Sequence, residues 1–225
     1  MNERRYYEAY DDRYRQVHGQ ELDWFMAEPS RIVGEVLERY GIGKSAKLLE
    51  IGCGEGRDAG FLLQNGYNVV ATDVSPAAVE YCQKKFPRYK KHFRMLDCVK
   101  ERLEEKFDLI YSVAVVHMLV LDEDRRAFYE FIRGQLGEKG IGLICTMGDG
   151  ETERQSDIST AFSLQERVHE QTGKAVRIAG TSYRAVSFST FRKEMEENRL
   201  EILEEGFTNM QPDYSQMMYA VVKRS

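Results

Sequence analysis

Between Leu48 and Gly56 the chain reads Leu48-Leu49-Glu50-Ile51-Gly52-Cys53-Gly54-Glu55-Gly56, an apolar run closed by three glycines at alternate positions. A strand that turns sharply into a helix while a ligand approaches its backbone needs residues without a Cβ. The helix that follows presents free N–H groups and the positive end of its dipole. The pattern therefore predicts a nucleoside-cofactor site at the edge of a parallel sheet.

Spacing narrows the ligand. A dinucleotide site places its glycines as G-x-G-x-x-G, with pyrophosphate over the helix N-terminus. Here Gly56 comes one position early, and Arg57 stands where that pattern needs glycine. The carboxylate of Glu50, two residues before Gly52, would repel a pyrophosphate and suits the ammonium and sulfonium of S-adenosylmethionine. Asp73 closes the next apolar run, Asn68–Thr72, followed by Val74. An acid at that strand end can accept both ribose hydroxyls. It can also be a turn or cap aspartate, but Ser75-Pro76 already supplies the helix cap. Asp97 ends the run His92–Leu96 and suits an adenine amino group, with the Cys98 backbone N–H beside it; a solvated loop aspartate is the alternative.

The remaining pattern alternates short apolar runs with helices. Strands are expected at Lys47–Ile51, Asn68–Thr72, His92–Leu96, Phe107–Ser112 and Gly140–Met147, as continuous apolar runs covered on both faces. Helices are expected to open at Ser30, Ser75 and Asp122, the first with Ile32, Val33, Val36 and Leu37 on one face. Gly148–Arg184 reads as a long polar loop of functional or disordered kind. A helix at Thr190–Asn198 and an antiparallel hairpin, Leu200–Phe207 with Met217–Lys223 around the turn signal Gln211-Pro212-Asp213-Tyr214, finish the chain. The length, 225 residues, fits one domain of α/β class. Its parts are a helical cover (1–45), a cofactor-binding core (46–147), an insert or substrate lid (148–189), and a final helix and hairpin (190–225).

Glu50–Gly56, Asp73, Asp97-Cys98 and Phe107-Asp108-Leu109-Ile110-Tyr111-Ser112 resemble the successive motifs of class I S-adenosylmethionine-dependent methyltransferases. Gly52–Asp58 with Asn65-Gly66-Tyr67 is most similar to the small bacterial tellurite-resistance and thiopurine methyltransferase group. The resemblance implies a Rossmann-like, doubly wound, mostly parallel seven-stranded sheet with an antiparallel C-terminal hairpin. It also implies that Glu50 and the loop Gly52, Cys53, Gly54, Gly56 and Arg57 hold the methionine moiety. Asp73 and Val74 would take the ribose, Asp97 and Cys98 the adenine, and Ser112 and Val113 the sulfonium. The expected reaction is in-line methyl transfer to a small molecule, releasing S-adenosylhomocysteine.

Net charge is −5, which opposes non-specific attraction to nucleic acid. The four cysteines show no C-x-x-C pairing and read as free thiols of a reducing, cytoplasmic compartment. The histidines lack ligand spacing, so no metal is expected. Leu109–Leu121 is too short and polar to span a bilayer, and Met1–Tyr7 is not followed by the apolar stretch of a signal peptide.

The acceptor side is less legible. His117, just beyond the fourth strand, is the best base, since imidazole titrates near neutrality; a histidine there also serves structure by bonding a backbone carbonyl. The cover is rich in aromatics (Tyr6, Tyr7, Tyr10, Tyr14, Trp24 and Phe25). Tyr6, Tyr10 and Tyr14 recur at helical spacing, with Tyr7 beside them, and read either as packing against the domain or as a substrate wall; Arg13, His18 and Trp24 share the two readings. Tyr183 and Arg184 precede the last helix, where an arginine can pair with an anionic acceptor or remain solvated. No Asn/Asp-Pro-Pro-aromatic signature or Pro-Cys pair follows the fourth strand, which disfavours nucleobase acceptors. A non-catalytic S-adenosylmethionine sensor remains a rival, as do an aminopropyltransferase, which needs an acidic loop after that strand, and an NAD-dependent oxidoreductase.

Overall fold

The computed structural model describes residues 4–24, 28–169, 172–210 and 214–225. Phe25, Met1–Glu3 and the turn at Gln211–Asp213 lie outside the described residues. The elements run α1 (Ala9–His18), α2 (Arg31–Arg39), β1 (Lys47–Ile51), α3 (Arg57–Gln64), β2 (Asn68–Asp73), α4 (Pro76–Lys85), β3 (Phe93–Met95), β4 (Phe107–Val113), α5 (Asp122–Gln135), β5 (Leu136–Met147), β6 (Arg154–Gln155), β7 (Leu164–Val168), β8 (Ala175–Ala179), β9 (Arg184–Ala185), α6 (Phe188–Glu197), β10 (Leu200–Met210) and β11 (Tyr214–Arg224).

Seven strands form one Rossmann-like sheet in the order β10-β11-β5-β4-β1-β2-β3. β1 to β5 pair in parallel, and β11 runs antiparallel to both β5 and β10. The chain winds outward from β1 through β2 and β3, then returns to the other side of β1 for β4. Ligands bind at such a reversal, outside the strand C-termini.

Strand residues point alternately to opposite faces, and β1 shows it. Leu48 packs with Ile32, Val33, Val36 and Leu37 of α2 and Leu62 of α3. Leu49 and Ile51 belong to the opposite layer with Phe128, Phe131 and Ile132 of α5 and Phe191 of α6. The Ser75 hydroxyl caps α4 by accepting from the Ala78 N–H at 3.1 Å, as expected.

The insert differs from its expected form. It carries two small antiparallel sheets, β6 with β9 and β7 with β8. Val176 and Ile178 of β8 alternate inward and pack on Val17 of α1, with Leu22 and Trp24 at the edge. An alternation only two residues long, preceded by Gly173 at φ +67°, is too weak a signal to read without the helix it packs against. The last helix begins two residues earlier than expected, capped by the Ser187 hydroxyl. β5 begins directly at the end of α5, and β3 is shorter than the run that predicted it.

Candidate cofactor and acceptor site

The glycine loop is built around close approaches. Gly52, Gly54 and Gly56 have φ of +72°, +52° and +73°, a region that L side chains rarely enter. A Cβ on each would stand 2.3 Å from Val115 Cγ2, 2.7 Å from the Tyr14 hydroxyl and 2.8 Å from Cys82 Sγ respectively. The Thr72 carbonyl accepts from the Gly52 and Cys53 N–H groups, and the Cys53 carbonyl from Gly56. The Gly54 N–H donates to Asp73 Oδ2 at 2.9 Å, and the Ser75 N–H to Oδ1 at 2.8 Å. The loop N–H groups of Gly52, Cys53, Gly54 and Gly56 are thus spent inside the protein.

The charges around the loop also suit a cation. Glu50 is buried and accepts from the Tyr111 hydroxyl at 3.2 Å. Burial, reinforced by nearby Asp58, pushes its carboxyl well above the usual range. Burial likewise lifts Asp73 to about 6, against the lowering pull of the Ser75 and Gly54 N–H groups. Desolvated acids of this kind are stabilised in their ionised form by a positive ligand.

Three adjoining cavities follow from this arrangement. One, of about 50 Å³, lies between Glu50, the glycine loop, Arg57 and Val113. A second, of about 70 Å³, lies between Asp73, Val74, Asp97, Cys98 and Val115. The third, of about 520 Å³, is bordered by Trp24, His117, Tyr183 and the insert. Tyr14 and Met118 border all three, and Ala114 lies between the first and the third. Ala114 adopts φ +58°, a strained position for a residue with a Cβ.

Most of the residues singled out in the sequence border these spaces. Asp97 also accepts from the Tyr7 hydroxyl and the Val99 N–H, both at 3.0 Å, and pairs with Lys100. Arg57 borders the first cavity while its guanidinium binds Ser30 and Asp58. Ser112 lies elsewhere: it is fully buried, its Oγ has no hydrogen-bond partner among the described residues, and it borders none of the three cavities. His117 is 6% exposed and its buried Nδ1 has no hydrogen-bond partner among the described residues. Burial, with Arg125 and Arg13 adding, lowers it to about 3, so the ring is neutral at neutral pH. Tyr10 and Tyr183 border the large cavity, whereas Arg184 binds the Val120 carbonyl and Asp122 instead.

Several contacts escaped the sequence reading. Asp11 of α1 accepts from the Ser75 hydroxyl at 2.7 Å and the Ala77 N–H at 3.0 Å, tying the cover to the N-terminus of α4. Glu55 accepts from the Trp24 N–H and bonds His18. Arg13 reaches the Ala179 and Gly180 carbonyls and the Thr181 hydroxyl. Each contact joins segments far apart in the chain, and no local spacing announces it.

Residues 49–141 match a family model described as a methyltransferase domain. A curated relative, the malonyl-(acyl-carrier protein) O-methyltransferase of Acetivibrio thermocellus, is 25% identical over 112 residues, covering 46% of this chain. The chain spans 40% of that relative's length. Among solved structures, a TehB-like S-adenosylmethionine-dependent methyltransferase from Corynebacterium glutamicum is 23% identical, with 97% of each chain covered and a TM-score of 0.59. The 1,6-didemethyltoxoflavin-N1-methyltransferase of Burkholderia thailandensis, solved with 1,6-didemethyltoxoflavin and S-adenosylhomocysteine, is 16% identical. It aligns over 93% of this chain and 84% of its own with a TM-score of 0.68. The fold is that of the class I S-adenosylmethionine-dependent methyltransferases.

On this methyltransferase fold α1 packs against β8, and residues of the N-terminal segment and of the insert border the large cavity together. They meet where Tyr10 donates to the Ser182 carbonyl at 3.1 Å. No helix among the described residues is long and apolar enough to cross a membrane.

Proposed function

We propose that the chain is an S-adenosylmethionine-dependent methyltransferase acting on a small-molecule acceptor. The observation that carries this reading is the side-chain-free loop, walled by buried Glu50 and Asp73, opening past Tyr14 and Ala114 into the 520 Å³ cavity. That volume lies within the range of small-ligand sites. The 1,6-didemethyltoxoflavin bound in the Burkholderia thailandensis enzyme supports a small acceptor, and the TehB-like neighbour supports kinship with the tellurite-resistance and thiopurine group.

S-adenosylmethionine, when bound, supplies an electrophilic methyl on a sulfonium. In this reading Glu50 faces the ammonium end, Asp73 the ribose, and Asp97 with the Cys98 N–H the adenine. Tyr14 and Met118 separate the donor from water, and Ala114 marks the passage to the acceptor. Transfer forms the acceptor–methyl bond and breaks the sulfur–methyl bond, whose electron pair stays on sulfur, while the acceptor sheds a proton. Holding the two reacting atoms at about 3–3.5 Å supplies much of the acceleration. His117, neutral and on the border of the large cavity, accepts the hydrogen of the attacking group and orients its lone pair toward the methyl. An aminopropyltransferase is disfavoured, because residues 114–121 after β4 contain no acid and Asp122 opens α5 paired with Arg184.

Thermal unfolding in the presence of S-adenosylmethionine, S-adenosylhomocysteine and NAD tests this. The first two should stabilise the protein, by about 2.7 kcal/mol at a hundred times the dissociation constant. Stabilisation by NAD alone would overturn the assignment.

A further inference from the structure

The large cavity has a chemical bias. Among the described residues, Arg13, Arg154 and Arg167 border it against a single carboxylate, Asp149. That carboxylate closes its own turn, accepting from the Glu151 and Thr152 N–H groups and the Thr152 hydroxyl, and these bonds hold it low, at about 2. Arg13 is spent on the insert backbone, with its guanidinium 5.1 Å from the Trp24 ring centre. Arg154 lies over the Tyr183 ring at 5.7 Å, and Arg167 donates to Gln165. Among the described residues neither Arg154 nor Arg167 forms a salt bridge. Tyr10, Tyr14, Trp24 and Tyr183 give the same space flat walls, and His117 stands on its border.

We propose, resting on the reading of the site as a methyltransferase, that the acceptor is a small planar acid. Its carboxylate or phosphate pairs with Arg154 and Arg167 of the insert, its ring packs among the aromatic walls, and its O–H or N–H faces His117. Arginine forks match both anions bidentately. The acid also completes the chemistry. Burial and two arginines keep His117 from taking a proton in the free protein; an anion seated beside it offsets those arginines and favours the protonated ring. The acceptor loses its proton to His117 as the new bond to carbon forms, and the ring passes that proton to water when the product leaves.

Trp24 is the only tryptophan of the chain, so its emission reports occupancy without turnover. The protein saturated with S-adenosylhomocysteine is titrated with 4-hydroxybenzoate, 4-hydroxyphenyl phosphate and neutral 4-hydroxybenzamide. At least one anion should bind about tenfold more tightly than the amide, weakening as salt rises, and the tighter of the two anions identifies carboxylate or phosphate. The double variant Arg154→Gln/Arg167→Gln should lose that preference while its S-adenosylhomocysteine affinity stays unchanged. Equal binding of the amide, a preference that survives the double variant, or no saturable binding of either anion would overturn the proposal. Loss of S-adenosylhomocysteine binding in the unmodified protein would instead overturn the cofactor assignment beneath it.

Discussion

The Tyr14 hydroxyl stands 2.7 Å from where a Cβ on Gly54 would lie, so the N-terminal helix closes directly onto the glycine loop. The next nearest Tyr14 atom is 3.7 Å away, an ordinary contact, so the hydroxyl alone makes the clash. Gly54→Ala should therefore destabilise the protein by about 1–3 kcal/mol and weaken S-adenosylhomocysteine binding. Tyr14→Phe in the same chain should recover part of the loss, leaving the left-handed backbone cost of about 1 kcal/mol. Urea unfolding of the two single variants and the double checks this, and strict additivity would show that the two positions do not meet.

Asp73 and His117 push acid stability in opposite directions. Burial raises folded Asp73 to about 6, against an ordinary value of 3.8. The folded state therefore binds more protons, and its contribution falls as pH rises from about 4 to 6. His117 titrates near 3 when folded against 6.5, so its contribution is lost as pH falls from about 6.5 toward 3. Asp73→Asn should steepen the loss of stability toward acid pH, and His117→Gln should flatten or reverse it, read as melting temperature between pH 4 and 7.

Ionised Asp73 suits a cationic ligand, so S-adenosylmethionine affinity should rise as pH passes upward through about 6. Calorimetric titration across that range checks it. The rise should be smaller in Asp73→Asn, which leaves only the contribution of Glu50, and basal affinity should fall by about tenfold or more because the two N–H donors of Gly54 and Ser75 keep only one good acceptor.

Arg125 fixes the loop that carries His117. It is 1% exposed, donates to both Glu194 oxygens at 2.6 and 2.7 Å, and bonds the Val116 and Leu119 carbonyls. Arg125→Ala should cost about 3–5 kcal/mol, since it strands the Glu194 carboxylate. Adding Glu194→Ala should restore part of the stability but not the turnover, because the loop carbonyls remain unheld. Full recovery of both would show that the pair only balances charge.

Asp11→Ala removes two hydrogen bonds at the start of α4. Loss of a cap of this kind costs about 0.5–2 kcal/mol. Cleavage of the N-terminal segment by protease should also quicken, and cofactor should slow it if the cover closes over the bound ligand.

What the sequence determined by itself was the part governed by short-range rules. Glycines at alternate positions, apolar runs of strand length and Ser75-Pro76 are each dictated by backbone sterics or local hydrogen bonding. They specified the sheet, its hairpin and the places of Glu50, Asp73 and Asp97 at strand ends. Tertiary structure alone decided which groups share the crevice. Ser112 is buried within β4 and borders none of the cavities, while Ala114, two residues on and past the strand end, reached the boundary between them. Arg184 found a carbonyl and a carboxylate, leaving Arg154 and Arg167 to border the cavity. The insert became strands because α1 offers Val176 and Ile178 an apolar surface, and Asp11, Arg13 and Glu55 gained partners dozens of residues distant. Such pairings depend on packing between segments, which no window of neighbouring residues encodes.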